Sequence, residues 1–353
     1  MAIHQLLAGA RMGDAITNEA AVLASIFRRR DERARLFAPA ATIDRLLGVA
    51  VEPLSRLAVL ADPGRDTVLL HLSIGSPVQR AFAEWPGRRI ILYHNMTPPA
   101  WFAAINPATS YLLEQGRAEV AALAPLADRV WADSAFNARE LQQLGYGRVD
   151  VFPLVLPLES LRVAPARRIS RMWDDGRMNI LFVGRGAPNK RFEDLIRVQA
   201  CLERWGCPSR LLLVGSFGGT EIYGSVLLGL VRALRLEHVH FEGARSQAEL
   251  NGYYASADLF LCLSEHEGFC APLIEAMHFA VPIVAYAAAA VPETLDGAGL
   301  LIRDKSDPGL VAAALWEVHT NAGLRQSLLL RQAERLARYA SRDVAAELDL
   351  LLA

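Results

Sequence analysis

Residues 264–276 read SEHEGFCAPLIEA, and this stretch decides the fold of the chain. The segment just before it, Asp258–Leu263 (DLFLCL), is short and apolar and predicts a buried strand. Pro272 suits the first turn of a helix, where its missing N–H is not needed, and Gly268 allows the backbone to approach a ligand closely. The stretch therefore predicts a strand, a tight turn and a helix whose unpaired N–H groups form an anion site.

Two glutamates flank the predicted turn. Glu267 lies in the loop, and Glu275 lies about one turn inside the helix. Carboxylates accept strong hydrogen bonds from hydroxyl groups, and a helix N-terminus attracts phosphate. The combination suits a ligand in which a phosphate is joined to polyols, namely a nucleotide-sugar.

The chain resembles the retaining GT-B glycosyltransferases of family 4. Their hallmark is an E-x7-E pattern in a context like S-x-x-E-G-F-G-x-P-x-x-E-A-M, and this chain has SEHEGFCAPLIEAM at 264–277. The similarity extends to three further segments: ILFVGRGAPNKRFE (180–193), ILYHNMTPP (91–99) and RMGDAITNE (11–19). Two positions depart from the family pattern. Cys270 stands where glycine is commoner, and Ala280 where glycine often precedes a proline.

Composition is that of a globular protein with large apolar cores. The 353 residues are 52% hydrophobic and 21% charged, which allows two domains of ordinary size. The formal net charge of -1 predicts no general attraction to nucleic acid. We expect no signal peptide and no membrane span, and therefore a cytoplasmic bacterial protein. The cysteines show no C-x-x-C pair and no metal spacing, which predicts reduced thiols: Cys201, Cys207, Cys262 and Cys270.

Strand-like and helix-like segments alternate in both halves, which predicts parallel sheets covered by helices. In the first half the predicted strands are Ile3–Ala8, Thr67–Leu72, Arg89–His94, Arg129–Ala132 and Arg148–Phe152. In the second half they are Asn179–Gly184, Arg210–Gly215, His238–Gly243, Asp258–Ser264, Val281–Tyr286 and Gly299–Arg303. The expected fold class is α/β, and the resemblance makes it GT-B, two doubly wound Rossmann-like domains facing across a cleft.

Three segments are predicted along the chain. Residues 1–160 would form an N-terminal acceptor-side domain, and residues 161–335 a C-terminal domain that binds the nucleotide-sugar. A linker is expected within 157–177, where apolar periodicity fades. Residues 336–353 would form a helix that, by resemblance, crosses back to the first domain.

The resemblance implies roles for the residues around the turn. Arg185 and Lys190 would stabilise the charge that develops on the leaving diphosphate, usually the largest catalytic contribution. Glu275 would accept hydrogen bonds from ribose hydroxyls, and Glu267 from hydroxyls of the transferred sugar. Backbone close to the donor would come from Gly184, Gly268, Phe269, Cys270 and Ala271. The sequence has only one other lysine, Lys305, among 37 basic residues, so composition alone would supply arginine at position 190.

Further candidates lie at strand ends. The resemblance places His94 beside the donor sugar, with a packed core histidine as the alternative, and Asn95 is a supporting, acceptor-side candidate. His71 and Ser73 close another strand and are acceptor-side candidates, with local packing as the alternative. Arg245 follows a strand and could lie near the nucleotide base.

The loop after the first strand contains Gly13 and Asp14. Gly13 would let the backbone approach the diphosphate or the acceptor, and Asp14 would receive the proton of the acceptor hydroxyl. Both are also ordinary loop residues. A run of arginines, Arg28, Arg29 and Arg30, ends a predicted helix. These positive charges would interact favourably with the C-terminal end of the helix dipole. Contact with anionic lipid at the inner face of the membrane is the alternative interpretation.

No Asp-x-Asp motif occurs in the sequence, so we expect no metal and no other cofactor, with Arg185, Lys190 and the helix dipole holding the diphosphate. The expected activity is transfer, with retention, of a mannose- or glucose-type hexose from a GDP- or UDP-sugar. The acceptor would be a hydroxyl of a glycan or lipid-linked molecule in polysaccharide or lipopolysaccharide synthesis. Two alternatives stay open: a sugar-nucleotide 2-epimerase, and a non-catalytic partner subunit that binds a sugar-nucleotide.

Overall fold

The computed structural model describes residues 1–45 and 47–353. The chain divides into two compact units. Unit 1 comprises residues 1–103, 107–157 and 342–353, and unit 2 comprises residues 104–106 and 158–341. The division at 157/158 lies at the start of the predicted linker, and the chain returns to unit 1 at Arg342 rather than at residue 336.

Unit 1 is built on a parallel sheet of seven strands in the order β3-β2-β1-β4-β5-β6-β7. The strands are β1 (Ile3–Leu7), β2 (Leu36–Ala38), β3 (Val51–Pro53), β4 (Thr67–Leu72), β5 (Arg88–Tyr93), β6 (Arg129–Ala132) and β7 (Asp150–Val151). The helices are α1 (Ala15–Arg30), α2 (Leu57–Leu60), α3 (Pro77–Glu84), α4 (Pro107–Leu123), α5 (Ala135–Gln143) and α15 (Val344–Leu352). β1 and β4 are buried along their whole length, as expected for a sheet covered on both faces.

Unit 2 is built on a second parallel sheet, with the order β10-β9-β8-β11-β12-β13. The strands are β8 (Met178–Val183), β9 (Ser209–Val214), β10 (Val239–Gly243), β11 (Leu259–Cys262), β12 (Ile283–Tyr286) and β13 (Leu300–Ile302). The first helices are α6 (Leu158–Leu161), α7 (Arg167–Met172), α8 (Phe192–Arg204), α9 (Glu221–Ala233) and α10 (Gln247–Ser256). The remaining helices are α11 (Ala271–His278), α12 (Val291–Leu295), α13 (Pro308–Thr320) and α14 (Ala322–Ala340).

The α/β class and the doubly wound parallel sheets are confirmed. The sequence missed β2 and β3, which are three residues long, and Pro53 in β3 removes any visible alternation. The strand predicted at 148–152 shrinks to Asp150–Val151. The predicted linker contains α6 and α7, which belong to unit 2, and the Ala166 N–H donates to the Ala248 carbonyl at the start of α10.

The helix predicted over 336–353 is interrupted. α14 ends at Ala340, and Asp343 caps the next helix by accepting a hydrogen bond from the Ala346 N–H. α15 then packs in unit 1, where Leu348 is fully buried in the core. No helix within the described residues is long and apolar enough to cross a bilayer.

Each sheet has a point where the strand order reverses. In unit 1 this point lies between β1 and β4, and in unit 2 between β8 and β11. Ligands of doubly wound sheets bind at the carboxyl ends of the strands at such points. The loops after β8 and β11 are therefore where a ligand of unit 2 is expected.

Candidate active site

Lys190 and Glu267 form an ion pair where the strand order of unit 2 reverses. Lys190 ends a short 3-10 turn (Pro188–Lys190) after β8, and Glu267 lies in the loop after β11. Lys190 Nζ lies 2.5 Å from Glu267 Oε2. Burial opposes the charge of the lysine, but the adjacent Glu267 carboxylate outweighs it and the pKa of Lys190 is raised. The pair therefore keeps a positive charge where the loops after β8 and β11 meet.

Asn189, which the motifs did not predict, joins the two loops. Its carbonyl accepts from the Glu265 N–H at 2.9 Å, and its side-chain Nδ2 donates to the His266 carbonyl at 3.0 Å. The Glu267 carbonyl in turn accepts from the Ala290 N–H at 3.3 Å. These bonds fix the backbone on both sides of the ion pair. The only sequence signal for the role of Asn189 was its position beside Lys190.

One residue of the turn before α11 lies in the left-handed backbone region. The residue in the left-handed region is Cys270, with φ 71°, and Gly268 is not among the residues with positive φ. Cys270 is the N-cap of α11, and no side-chain hydrogen bond caps the helix there. Among the hydrogen bonds of the described residues, none is donated by the backbone N–H of Phe269, Cys270 or Ala271. The start of α11 thus offers unpaired donors, as the sequence predicted.

The two positions that depart from the family pattern share one backbone conformation. Cys270 has φ 71° and Ala280 has φ 52°, so both occupy the left-handed region. Glycine adopts this region without the penalty that a Cβ brings. Glycine is therefore the residue that the backbone favours at both positions.

Glu275 lies on α11 and contacts a tyrosine. Tyr254 Oη donates to Glu275 Oε2 at 2.6 Å, and the tyrosine ring is fully buried against Phe279. Burial raises the pKa of Glu275, and the hydrogen bond from Tyr254 offsets part of this rise. Tyr254 carries no motif signal and was not predicted.

The arginine candidates have other partners. Arg185 follows Gly184 at the end of β8, is exposed, and its Nη2 lies 3.4 Å from the Gly218 carbonyl. Arg245 is also exposed, pairs with Glu242 at 2.6 Å and lies over the ring of Tyr253. The contacts seen for Arg185 thus lie in the loop after β9, whereas Lys190 engages Glu267.

Lys305, the other lysine, has a structural role. Its Nζ lies 2.7 Å from Asp194 Oδ2, 2.8 Å from Glu265 Oε1 and 2.9 Å from the Leu263 carbonyl. These contacts join α8 to the loop after β11. Both lysines therefore contact the loop after β11. Lys305 contacts Glu265 and the Leu263 carbonyl, and Lys190 contacts Glu267.

Unit 1 contains a chain of buried hydrogen bonds through two histidines. Gln5 Nε2 donates to the Ala20 carbonyl at 3.0 Å, so its Oε1 accepts from His71 Nε2 at 2.8 Å. His71 Nδ1 then accepts from His94 Nε2 at 2.9 Å. This sequence of donors assigns the tautomer of His71 and requires a proton on His94 Nε2.

Two carboxyl groups flank His94. Asp133 Oδ2 lies 3.4 Å from His94 Nδ1, and Glu19 Oε2 lies 3.6 Å from Nε2. Burial alone would lower the pKa of His94, but Asp133 and Glu19 outweigh it and raise the pKa. Burial also raises the pKa of Glu19 to about 7 and holds that of His71 well below its usual range. Glu19 and Asp133 were not predicted, although Glu19 ends the RMGDAITNE segment.

The remaining candidates of unit 1 are placed as follows. Asp14 caps α1, its Oδ2 accepting from the Thr17 N–H at 2.8 Å and hydroxyl at 2.7 Å. Gly13 is exposed with φ 76°, and Ser73 is half-buried just after β4. Asn95 has φ 76° and donates to Asn137 Oδ1 at 2.6 Å. Asp14 and Asn95 therefore have local structural partners in addition to the roles predicted for them.

The family comparison concerns unit 2. Residues 177–321 match the model of the family described as glycosyl transferases group 1. This range contains both loops of the Lys190–Glu267 pair and the whole of α11.

Curated relatives match parts of the chain. A GDP-mannose-dependent alpha-mannosyltransferase of Mycobacterium tuberculosis is 33% identical over 168 residues, which cover 45% of this chain and 39% of the relative. A D-inositol 3-phosphate glycosyltransferase of Thermobispora bispora is 30% identical over 237 residues, covering 63% of this chain and 55% of the relative. The matched segments thus span about half or less of the length of these relatives.

Solved structures match the whole chain. Sucrose-phosphate synthase from Thermosynechococcus elongatus has a TM-score of 0.78 at 17% identity. The match covers 100% of this chain and 98% of the synthase chain. HepE from Anabaena, in complex with UDP and glucose, has a TM-score of 0.73 at 20% identity, covering 100% and 99%. These likenesses show that the fold is GT-B. With the family match, they support a glycosyltransferase of the GT-B class.

Proposed function

We propose that this protein is a glycosyltransferase whose donor, a nucleotide-sugar, binds to unit 2 at the carboxyl ends of β8 and β11. One observation carries the proposal: the Lys190–Glu267 ion pair lies in the same loop system as the unpaired N–H groups that begin α11. A cation and a helix N-terminus suit a diphosphate, and a buried carboxylate suits sugar hydroxyls.

In this proposal positively charged groups stabilise the diphosphate as it leaves. Lys190 and the N–H groups of Cys270 and Ala271 stabilise the charge that grows on the leaving oxygen. Arg185, on an exposed loop, adds its guanidinium when the donor is bound. Glu267 accepts from hydroxyls of the transferred sugar, and Glu275 accepts from ribose hydroxyls beside Tyr254.

Unit 1 is proposed to recognise hydroxyl groups through His94. The Nε2–H of His94 is taken by His71, so the Nδ1–H, 3.4 Å from Asp133 Oδ2, is the donor that would reach a substrate hydroxyl. His71, Ser73 and Asp14 stay candidates for the acceptor side. Arg28, Arg29 and Arg30 stay candidates for contact with anionic lipid, although Arg30 is already paired with Asp349 at 2.9 Å in unit 1.

The donor is proposed to be a GDP- or UDP-hexose. Relatives named as mannosyltransferases, among them the O-antigen chain mannosyltransferase B of Escherichia coli, support a mannose-type sugar and a glycan or lipid-linked acceptor. HepE was solved with UDP and glucose, which supports the uridine alternative. Retention would follow from substitution on the same face through an oxocarbenium-like state.

We further propose that transfer requires no divalent metal, because Lys190 and α11 supply the positive charge. Rates are expected to be the same with EDTA and with added Mg²⁺. A rate that EDTA abolishes and Mg²⁺ restores would contradict this part of the proposal.

The function is tested by incubating the protein with GDP-mannose, UDP-glucose and related donors and following the products by NMR. A transferase without acceptor is expected to release nucleoside diphosphate and free sugar slowly, with the initial sugar in the anomeric configuration of the donor. Epimerised donor would favour the 2-epimerase, and no binding or turnover of any donor would favour a non-catalytic partner subunit.

A further inference from the structure

Two cysteines face each other beside the Lys190–Glu267 pair. Cys262 ends β11, and Cys270 directly precedes α11. Their Sγ atoms lie 3.9 Å apart, and the residues are 1% and 7% exposed. Both are free thiols, and the candidate active site as described above leaves them without a chemical role.

The spacing of these sulfurs matches that of two ligands on one metal ion. Zinc–thiolate bonds are about 2.3 Å long, so two sulfurs on a tetrahedral ion lie about 3.8 Å apart. A carboxylate oxygen of Glu267 and the two sulfurs all lie within 4.8 Å of one another. A tetrahedral ion needs about 3.5 Å between sulfur and oxygen, so the Glu267 side chain would have to adopt that spacing on binding.

We propose that Cys262, Cys270 and Glu267 form a binding site for a soft divalent cation of the zinc class. Two thiolates and one carboxylate are a donor set that such ions prefer. The fourth position would be taken by water or by the hydroxyl of Ser264, which lies 3.4 Å from Cys262 Sγ.

The charge of the buried site balances with and without the ion. Without it, the Lys190 ammonium and the Glu267 carboxylate cancel, and in this proposal both thiols carry their protons. On binding, each thiol loses its proton to solvent and the two thiolates cancel the charge of the ion. No oxidation takes place, and the charges of Lys190 and Glu267 still cancel in the sum, although their direct contact is lost. The buried site therefore gains no net charge, which removes the main cost of binding an ion there.

A second cluster fits a metal less well. Glu19, His71 and His94 also bring ligand atoms within 4.8 Å of one another. The facing nitrogens of His71 and His94 lie 2.9 Å apart, which is a hydrogen bond. Two nitrogens on one tetrahedral zinc ion would lie about 3.3 Å apart, and both are already used in the chain that begins at Gln5.

The cysteine site would depend on a position at which this chain departs from the family pattern. Position 270 is one of the two at which the sequence departs from the family pattern, so the E-x7-E motif alone does not supply the second sulfur. An ion that takes Glu267 would withdraw this carboxylate from Lys190. If the proposed function is correct, and only then, the ion would inhibit donor binding.

The test is a cobalt titration of the full chain under a non-thiol reductant, with no sugar donor present. Cobalt bound by cysteine gives a thiolate-to-metal charge-transfer band, and we expect about one ion per chain with about two protons released. Zinc is expected to bleach the band. Because the backbone at position 270 favours glycine, Cys270→Gly removes one ligand without disturbing the turn.

The band is expected to disappear in Cys270→Gly and in Cys262→Ala, with melting temperatures measured in parallel. It is expected to persist in a Cys201→Ala/Cys207→Ala control, because these cysteines lie elsewhere in unit 2. No band in the wild-type protein, or an undiminished band in Cys270→Gly, would overturn the proposal. The readout uses no nucleotide, so it fails or succeeds separately from the proposed function.

Discussion

Lys190 Nζ and Glu267 Oε2 lie 2.5 Å apart, and the two side chains come from loops that follow adjacent strands, β8 and β11. Neither residue can change without leaving the other partly buried and unpaired. Removal of one partner of such a pair is expected to perturb the site more than its contact energy suggests.

Replacement of Lys190 by methionine keeps most of the length of the side chain and removes its charge. Without the cation at the leaving diphosphate, kcat/KM for the preferred donor is expected to fall about 100-fold or more. Initial rates measure this loss, and the melting temperature of the variant is measured in parallel. Lys305→Met is the matched control, because it breaks contacts to Asp194 and Glu265 and is expected to lower stability with a much smaller loss of turnover. Unchanged turnover in Lys190→Met would remove this residue from the mechanism.

Tyr254→Phe removes the hydrogen bond that keeps the pKa of Glu275 from rising further. The Glu275 carboxylate then stays protonated to a higher pH. The acidic limb of nucleotide affinity against pH is therefore expected to move to higher pH. Tyr253→Phe, which removes a hydrogen bond to Glu242, serves as the control and leaves the limb in place. Identical limbs in wild type and Tyr254→Phe would separate Glu275 from nucleotide binding.

Glu19→Gln tests the buried cluster of unit 1. The folded-state pKa of Glu19 is about 7, against an ordinary value of 4.5, so the folded protein holds a proton that the unfolded chain releases. The stability from this proton is complete below the lower value and is lost as the pH rises to about 7. Glutamine abolishes this loss. The unfolding free energy of the variant relative to wild type should therefore increase across the window, by on the order of 1 to 3 kcal/mol.

Denaturant unfolding at several pH values measures the Glu19 effect. Two curves that run parallel from pH 4.5 to about 7 would show that the carboxyl group titrates normally.

Ala280→Gly tests the left-handed backbone directly. Ala280 is exposed with φ 52°, so glycine relieves strain there, and we expect the unfolding free energy to rise by up to about 1 kcal/mol. Ala313→Gly, at an exposed site within α13, is expected to cost about 1 kcal/mol. Destabilisation of equal size in both variants would contradict the assigned strain.

The sequence predicted the parts of the fold that depend on local pattern. Long apolar strands such as β4 and β8 were found within one or two residues, because both faces of a parallel strand are buried and the apolar run is continuous. β2 and β3 were missed because three residues carry too little pattern, and their pairing depends on neighbours distant in sequence.

The site was predicted where a motif fixes both residue and backbone. Lys190, Glu267 and α11 follow from such motifs, whereas the left-handed conformation of Cys270 does not. Tyr254, Asn189 and Glu19 were missed because each reaches its partner only through the tertiary fold.

The most direct test of the central claim is calorimetric titration of the protein with GDP and with UDP, without added metal. The wild-type protein is expected to bind one of the two at a single site, and Lys190→Met to weaken that affinity by about tenfold or more. Absence of binding to both nucleotides, or equal affinity in wild type and Lys190→Met, would contradict the claim that Lys190 and the start of α11 hold the diphosphate.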